Sequence, residues 1–173
     1  MRSLPDRVKV AGVSALRIHR VVAGALALGI AAGSLGCASH MPRVPDLERY
    51  SQTAGDKEIG YSQAVRCGNL LYVSGTVGWQ EGGFPADLTQ QMVLAYGHLE
   101  KTLRHFNATF ADVVLERVYT TDLEALKKSL VTRRRFYGDN NLPAATAVQV
   151  VRLWEPEVLI EIELVVALRT AAP

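Results

Sequence analysis

The chain has 173 residues, 49% apolar and 21% charged, an ordinary globular composition with enough length for one domain around a real core. The formal net charge of +2 hides an asymmetry: the first 37 residues hold five Lys/Arg and one acid, and the remainder holds 14 basic and 16 acidic residues. A folded part freed of that N-terminus is mildly acidic, which argues against a nucleic-acid partner, since such binding rests on Lys and Arg neutralising phosphates.

The N-terminus reads as an export signal. A basic stretch ends at Arg20, and "VVAGALALGIAAGSLGCAS" then runs from Val21 to Ser39 without a charge. Its apolar core, Val21 to Leu35, has the length of a signal h-region and is short for a bilayer span. "SLGC" resembles a bacterial lipoprotein box. That implies an exported protein whose Cys37 carries lipid, placing it in the periplasm or anchored to the bacterial membrane. The box favours Leu where Ser34 stands, so cleavage near Ala38 and a retained anchor stay open. Residues 1–37 are thus a signal segment. Residues 38–57, with Pro, Gly and charge but no apolar period, are a tether or ordered arm. Residues 58–170 are the domain, without repeats or low-complexity tracts.

Within the domain, "YSQAVRC" and "LLYVSGTV" are short strand-like runs split by Gly68-Asn69, a β-hairpin signal. "WQEGGFPA" is loop. Asp87, with Gln90 three places on, opens a helix whose apolar face carries Met92, Tyr96, Leu99, Leu103 and Phe106, and which Asn107 closes. "VVLERVYTT" is a strand. Thr121 with Glu124 starts a second helix, with Leu123, Leu126 and Leu130 on its buried face, running to about Tyr137. "GDNNLP" breaks it, "ATAVQVV" is a strand, "WEPE" a turn, and "LIEIELVVAL" the final strand. The order β-β-α-β-α-β-β predicts an α+β fold in which two helices cover one face of a mixed, mostly antiparallel sheet. In the last strand Ile160, Ile162 and Leu164 alternate with Glu161 and Glu163, so both acids point away from the helices. Val165 and Ala167 share that outer face, and a semi-apolar sheet face suits a contact with another subunit. A carboxylate in such a seam is partly desolvated, which raises its pKa and suits it to proton transfer. The plainer reading of each acid is an exposed or ion-paired strand residue.

"GYSQAVRCGNLLYVSG", "PAATAVQVVRL" and "IEIELVVA", in that order, resemble the Rid family, the YjgF-type reactive intermediate deaminases, over nearly the whole domain. The resemblance implies a chorismate-mutase-like fold, a homotrimer with a cleft between each pair of subunits, and cofactor-free hydrolysis of an enamine or imine to a carbonyl compound and ammonia. By position it implies Glu163 as the acid that activates water, Tyr61 bordering the pocket, Ser74 and Gly75 beside the substrate, and Ala147 where the deaminases usually carry Cys. Tyr61 read alone is a strand aromatic with a wet hydroxyl, and Ser74-Gly75 a strand end.

One departure weighs against the usual chemistry. Where the deaminase branch has Pro-Ala-Arg, whose arginine forks onto the substrate carboxylate, this chain has Pro143-Ala144-Ala145. Losing such a clamp on a desolvated anion costs about 2–5 kcal/mol. The family's helix asparagine also has no counterpart, with Leu130 in that region. The substrate expected is therefore not the usual 2-imino acid. Arg66 and Arg152 fall in strands, and Arg133, Arg134 and Arg135 fan around a helix as a solvated C-terminal end. His98 and His105 share a helix face without a completing ligand set, so no metal is expected, and no Gly-rich phosphate loop is present. Cys67 reads as a small strand residue. Some relatives have been described as endoribonucleases, a role the charge does not support here. Two functions follow: a divergent imine or enamine hydrolase, or a non-catalytic trimeric binder of small metabolites in the cell envelope. A scaffold with a vestigial cleft is a third. Export weakens the housekeeping role, because reactive enamines arise mainly from cytoplasmic pyridoxal-phosphate enzymes.

Overall fold

The computed structural model describes residues 46–169. The signal segment and Cys37 lie outside the described residues. Six strands form one sheet: β1 Leu47–Tyr50, β2 Ala64–Cys67, β3 Leu70–Val77, β4 Val113–Thr120, β5 Ala144–Gln149 and β6 Ile160–Ala167, in the spatial order β1-β2-β3-β6-β4-β5. Only β4 and β5 run parallel; the other neighbours are antiparallel. The helices are α1 Ala54–Ile59, α2 Leu88–His105, α3 Leu123–Lys128 and α4 Leu130–Tyr137. Among the described residues no helix is long and apolar enough to cross a membrane.

The hairpin turns at Gly68, whose φ of 61° is left-handed and favours glycine. Helix α2 starts on Asp87, whose carboxylate accepts the Gln90 N–H at 2.9 Å, and stops where Asn107 takes φ 54°. Its predicted face is the buried one: Met92, Tyr96, Leu99 and Leu103 meet Leu71, Val73, Ile160, Ile162 and Leu164 from the sheet.

Four expectations need correction. The folded unit begins before Glu58, because residues 47–50 add an edge strand and residues 54–59 a helix. The second helix is two helices, divided at Ser129, and its cap is Asp122 rather than Thr121: the Asp122 carboxylate accepts the Ala125 N–H at 2.9 Å. Arg152 lies in the loop after β5 rather than in the strand. The arginine run is not uniformly solvated. Arg134 and Arg135 are exposed, but Arg133 turns inward and donates to Glu116, a fully buried carboxylate that also accepts from the hydroxyls of Tyr96 at 2.7 Å and Tyr137 at 2.9 Å. A buried carboxylate needs such partners, and a helix that fans three arginines supplies one to the core.

Candidate functional site

The sheet face away from α2 carries the site, and a bulge sets it. Between Val73 and Thr76, strand β3 has one residue more than the facing segment of β6, so the ladder slips at Ser74-Gly75 and resumes with Thr76 opposite Ile162 and Val77 opposite Glu161. The Glu161 carboxyl then lies over Gly75: a Cβ on that glycine would sit 1.7 Å from Glu161 Oε1. Ser74 is fixed beside it, its N–H on the Gln63 carbonyl at 2.9 Å and its hydroxyl donating to the Ser62 carbonyl at 2.7 Å.

Around this point opens a cavity of about 490 Å³, walled by Tyr61, Ser74, Gly75, Phe84, Trp154 and Glu161 with aliphatic Ile59, Val77 and Val158. A second lobe of about 400 Å³ shares Ile59, Tyr61, Gly75, Val77, Phe84 and Trp154 and extends past Asp56, Trp79, His98 and Glu155. Burial, and then the nearby Glu163 charge, raises the Glu161 carboxyl above its ordinary range. Burial raises the Tyr61 phenol too, with Asp56 and Glu161 adding to it; its hydroxyl donates weakly to Asp56 at 3.4 Å. Burial pushes Asp56 up, but hydrogen bonds from Thr53, Gln52 and Tyr61 outweigh it and hold Asp56 below the usual carboxylate range.

The walls hang from the core. Gln91 of α2 is fully buried; its amide NH2 donates to the carbonyls of Pro85 at 2.6 Å and Glu157 at 2.8 Å, and its oxygen accepts from the Leu159 N–H at 2.9 Å. The loop bearing Phe84 and the loop bearing Trp154 are thus tied to one side chain. Gly78 lets the chain after β3 pass close to α2 here, since a Cβ there would fall 2.0 Å from the Gln91 backbone carbonyl oxygen.

Of the residues singled out in the sequence, Tyr61, Ser74 and Gly75 converge here. Glu163 does not line the cavity. It pairs across the strands with Arg117, which donates to it at 2.5 Å, and accepts from the Tyr119 hydroxyl at 3.3 Å. Glu161 occupies the place expected of Glu163. Strand alternation puts both acids on one face, and only the β3 bulge decides which reaches Ser74-Gly75. Ala145 and Ala147 lie elsewhere in the chain, lining a separate space of about 190 Å³ on the helix side of β5 with Glu116, Leu130 and Arg133. The sequence reading also missed Phe84 and Trp154. Their signal was aromatic rings placed in turns rich in Gly, Pro and Glu, where a core role is excluded.

His98 faces the Trp79 carbonyl through Nε2 at 2.9 Å and stacks on the Trp79 ring, and His105 stacks on Tyr50. Among the described residues no cluster of His, Cys, Asp and Glu could hold a metal. Arg66 pairs with Glu48 at 3.5 Å, and Cys67 is a half-buried free thiol in β2.

A mixed sheet with its helices on one face is the fold that solved YjgF-family structures share. The family model described as endoribonuclease L-PSP matches residues 52–168, and the chain belongs to that family. It is 38% identical over 98 residues to the RutC family protein YjgH of Escherichia coli, covering 56% of this chain and 75% of the relative. A RutC family protein of Pyrococcus abyssi is 34% identical over 111 residues, covering 62% and 86%. Among solved structures, Rv2704 of Mycobacterium tuberculosis, a member of the YjgF/YER057c/UK114 family, superposes with TM-score 0.63 at 31% identity over 71% of this chain and all of that one. The solved structure of the protein YjgH gives 0.61 at 32% identity over 74% and 96%.

Proposed function

We propose that this cavity hydrolyses an imine or enamine to a carbonyl compound and ammonia, with Glu161 as the proton-transferring carboxylate. The observation that carries the reading is the Glu161 carboxyl laid on Gly75 beside Ser74 and Tyr61, half-buried and with a raised pKa. A water held by Glu161 attacks the iminium carbon. Its proton passes to the carboxylate, the C–O bond forms, and the C=N π pair moves to nitrogen. Glu161 returns the proton to that nitrogen, the C–N bond breaks and ammonia leaves, and the hydroxyl gives its proton to the freed carboxylate as the carbonyl forms, from which it passes to the ammonia. The raised pKa makes the carboxylate a better base in the first step and keeps the return transfer within reach. Among the described residues no Lys or Arg lines either lobe, which disfavours a phosphodiester substrate.

The reading includes a homotrimer in which a neighbour's β5, with Ala145 and Ala147, completes the cleft. Supporting it, β5 is exposed along its whole length, and Tyr72, Val114 and Val148 leave an apolar outer face. It includes export as well, on the strength of residues 1–37; intact mass and labelled palmitate incorporation test lipidation at Cys37.

Coupled assays with imines generated in place test the chemistry. Glu161→Gln is expected to lower kcat about 10²- to 10⁴-fold, and Glu163→Gln far less. An equal loss in both variants overturns the assignment. The absence of a clamp at Ala145 favours a second reading, a metabolite binder without turnover. Ligand-dependent shifts in Tm, with no imine hydrolysed by wild type or by Ala145→Arg, decide for it.

A further inference from the structure

The walls of the cavity share a charge character that neither the fold nor the proposed reaction requires. Three carboxylates line its two lobes: Glu161 in one, Asp56 and Glu155 in the other. Four aromatic rings line it too, Tyr61, Phe84, Trp154 and Trp79, and among the described residues no lysine or arginine does. The guanidinium nearest to Glu161 along the ladder, Arg117, is taken up by Glu163. Asp56 is buried and held in its charged form by the hydrogen bonds that cap α1. An anion entering this space would lose its water among carboxylates with no donor of opposite charge. A cation would meet both the carboxylates and the negative faces of the rings.

A second observation comes from His98, on the wall of the outer lobe. Its Nε2 faces a carbonyl oxygen and therefore carries the ring proton in the neutral imidazole, leaving Nδ1 as a lone pair. That Nδ1 is buried and has no hydrogen-bond partner among the described residues. With its ring proton turned to that carbonyl, the neutral imidazole offers the lobe no donor for an anion either.

We propose that the cavity binds an organic cation, an ammonium or iminium group carried on an apolar body, with the charge between Glu161 and the aromatic walls. This rests on reading the cavity as the reaction site, and it names the substrate class: a positively charged imine or its parent amine. It also accounts for alanine at Ala145. A site that takes a cation gains nothing from an arginine, which would repel the substrate.

Both tryptophans of the chain, Trp79 and Trp154, are in these walls, so intrinsic fluorescence reports occupancy directly. Three probes share one benzyl body and differ in charge: benzyltrimethylammonium, benzyl alcohol and phenylacetate. Titrated into the folded protein at pH 7.5, benzyltrimethylammonium is expected to quench the emission with a Kd at least about tenfold below either of the others, a preference on the scale of a desolvated cation–π contact. Raising the salt should weaken it. Glu161→Gln should weaken the cation at least about fivefold while weakening benzyl alcohol less, and Trp154→Leu, at a largely exposed position and read through Trp79 emission, should weaken the cation more than benzyl alcohol. Phenylacetate binding as tightly as the cation, or cation binding indifferent to both substitutions, overturns the proposal. The two readings fail separately. Cation binding without hydrolysis of any imine sinks the reaction and supports the cation site. Hydrolysis with no preference among charged and neutral imines sinks the cation site alone.

Discussion

At Gly75 a single hydrogen in place of a side chain is what lets a carboxylate reach the sheet surface. Gly75→Ala would drive a methyl group into Glu161 Oε1 and push the acid out of the cavity. Imine turnover should fall at least about tenfold while the Tm moves little, because Glu161 is a surface-facing group whose displacement opens no core void; calorimetry beside the coupled assay separates the two effects. Asp56 makes a prediction about pH. Its pKa is lowered in the folded chain, so its contribution to stability is present above the unfolded carboxylate range and lost as pH falls through the folded value. The Tm should drop on acidification below about pH 4, and Asp56→Asn should be less stable at pH 7 with a flatter acid limb. An unchanged acid limb would remove Asp56 from the account. At this scale the sequence conveyed residue types better than partners. It offered Tyr61, Ser74 and Gly75 as neighbours of an acid, and two acids of equal parity. Choosing between Glu161 and Glu163 required the β3 bulge, a feature of how two distant strands register, and the Arg117 opposite Glu163, which no local pattern marks.

Elements were legible where burial alone dictates them. The alternation of Ile160, Ile162, Leu164 and Val166, and the three-four spacing of Met92, Tyr96, Leu99 and Leu103, each gave the buried face correctly, because a strand and a helix have fixed periods. Strand β1 was not legible. Its four residues are mostly exposed and owe their conformation to pairing with β2, so they carry no apolar period. The fate of Arg133 was hidden for a related reason: its partner Glu116 lies on another element, in a strand whose polar residue reads as a solvent position. Here α4 is held to β4 by a buried carboxylate with three donors. Glu116→Ala would leave the Arg133 guanidinium and two tyrosyl hydroxyls without their acceptor, and should cost about 3–5 kcal/mol in chemical denaturation. A loss below about 1 kcal/mol would place that group among weak surface pairs.

For the molecule as a whole, the exposed edge of the sheet bears on assembly. A parallel strand is ordinarily covered on both faces, yet β5 is exposed throughout, with Val148 and the nearby Val151 and Trp154 in the open. The proposed trimer predicts about three chain masses by light scattering on the domain from residue 42 onward. Val148→Glu should shift that mass toward one chain and reduce imine turnover in step. A monomeric wild type would return the whole site to a single chain.

The mooring of both rims to Gln91 makes one buried side chain answerable for both. One amide holds the Phe84 loop through Pro85 and the Trp154 loop through Glu157 and Leu159, so a change at that amide reaches both rims at once. Loosening that hold would free both walls together, whereas a substitution within either loop would free one.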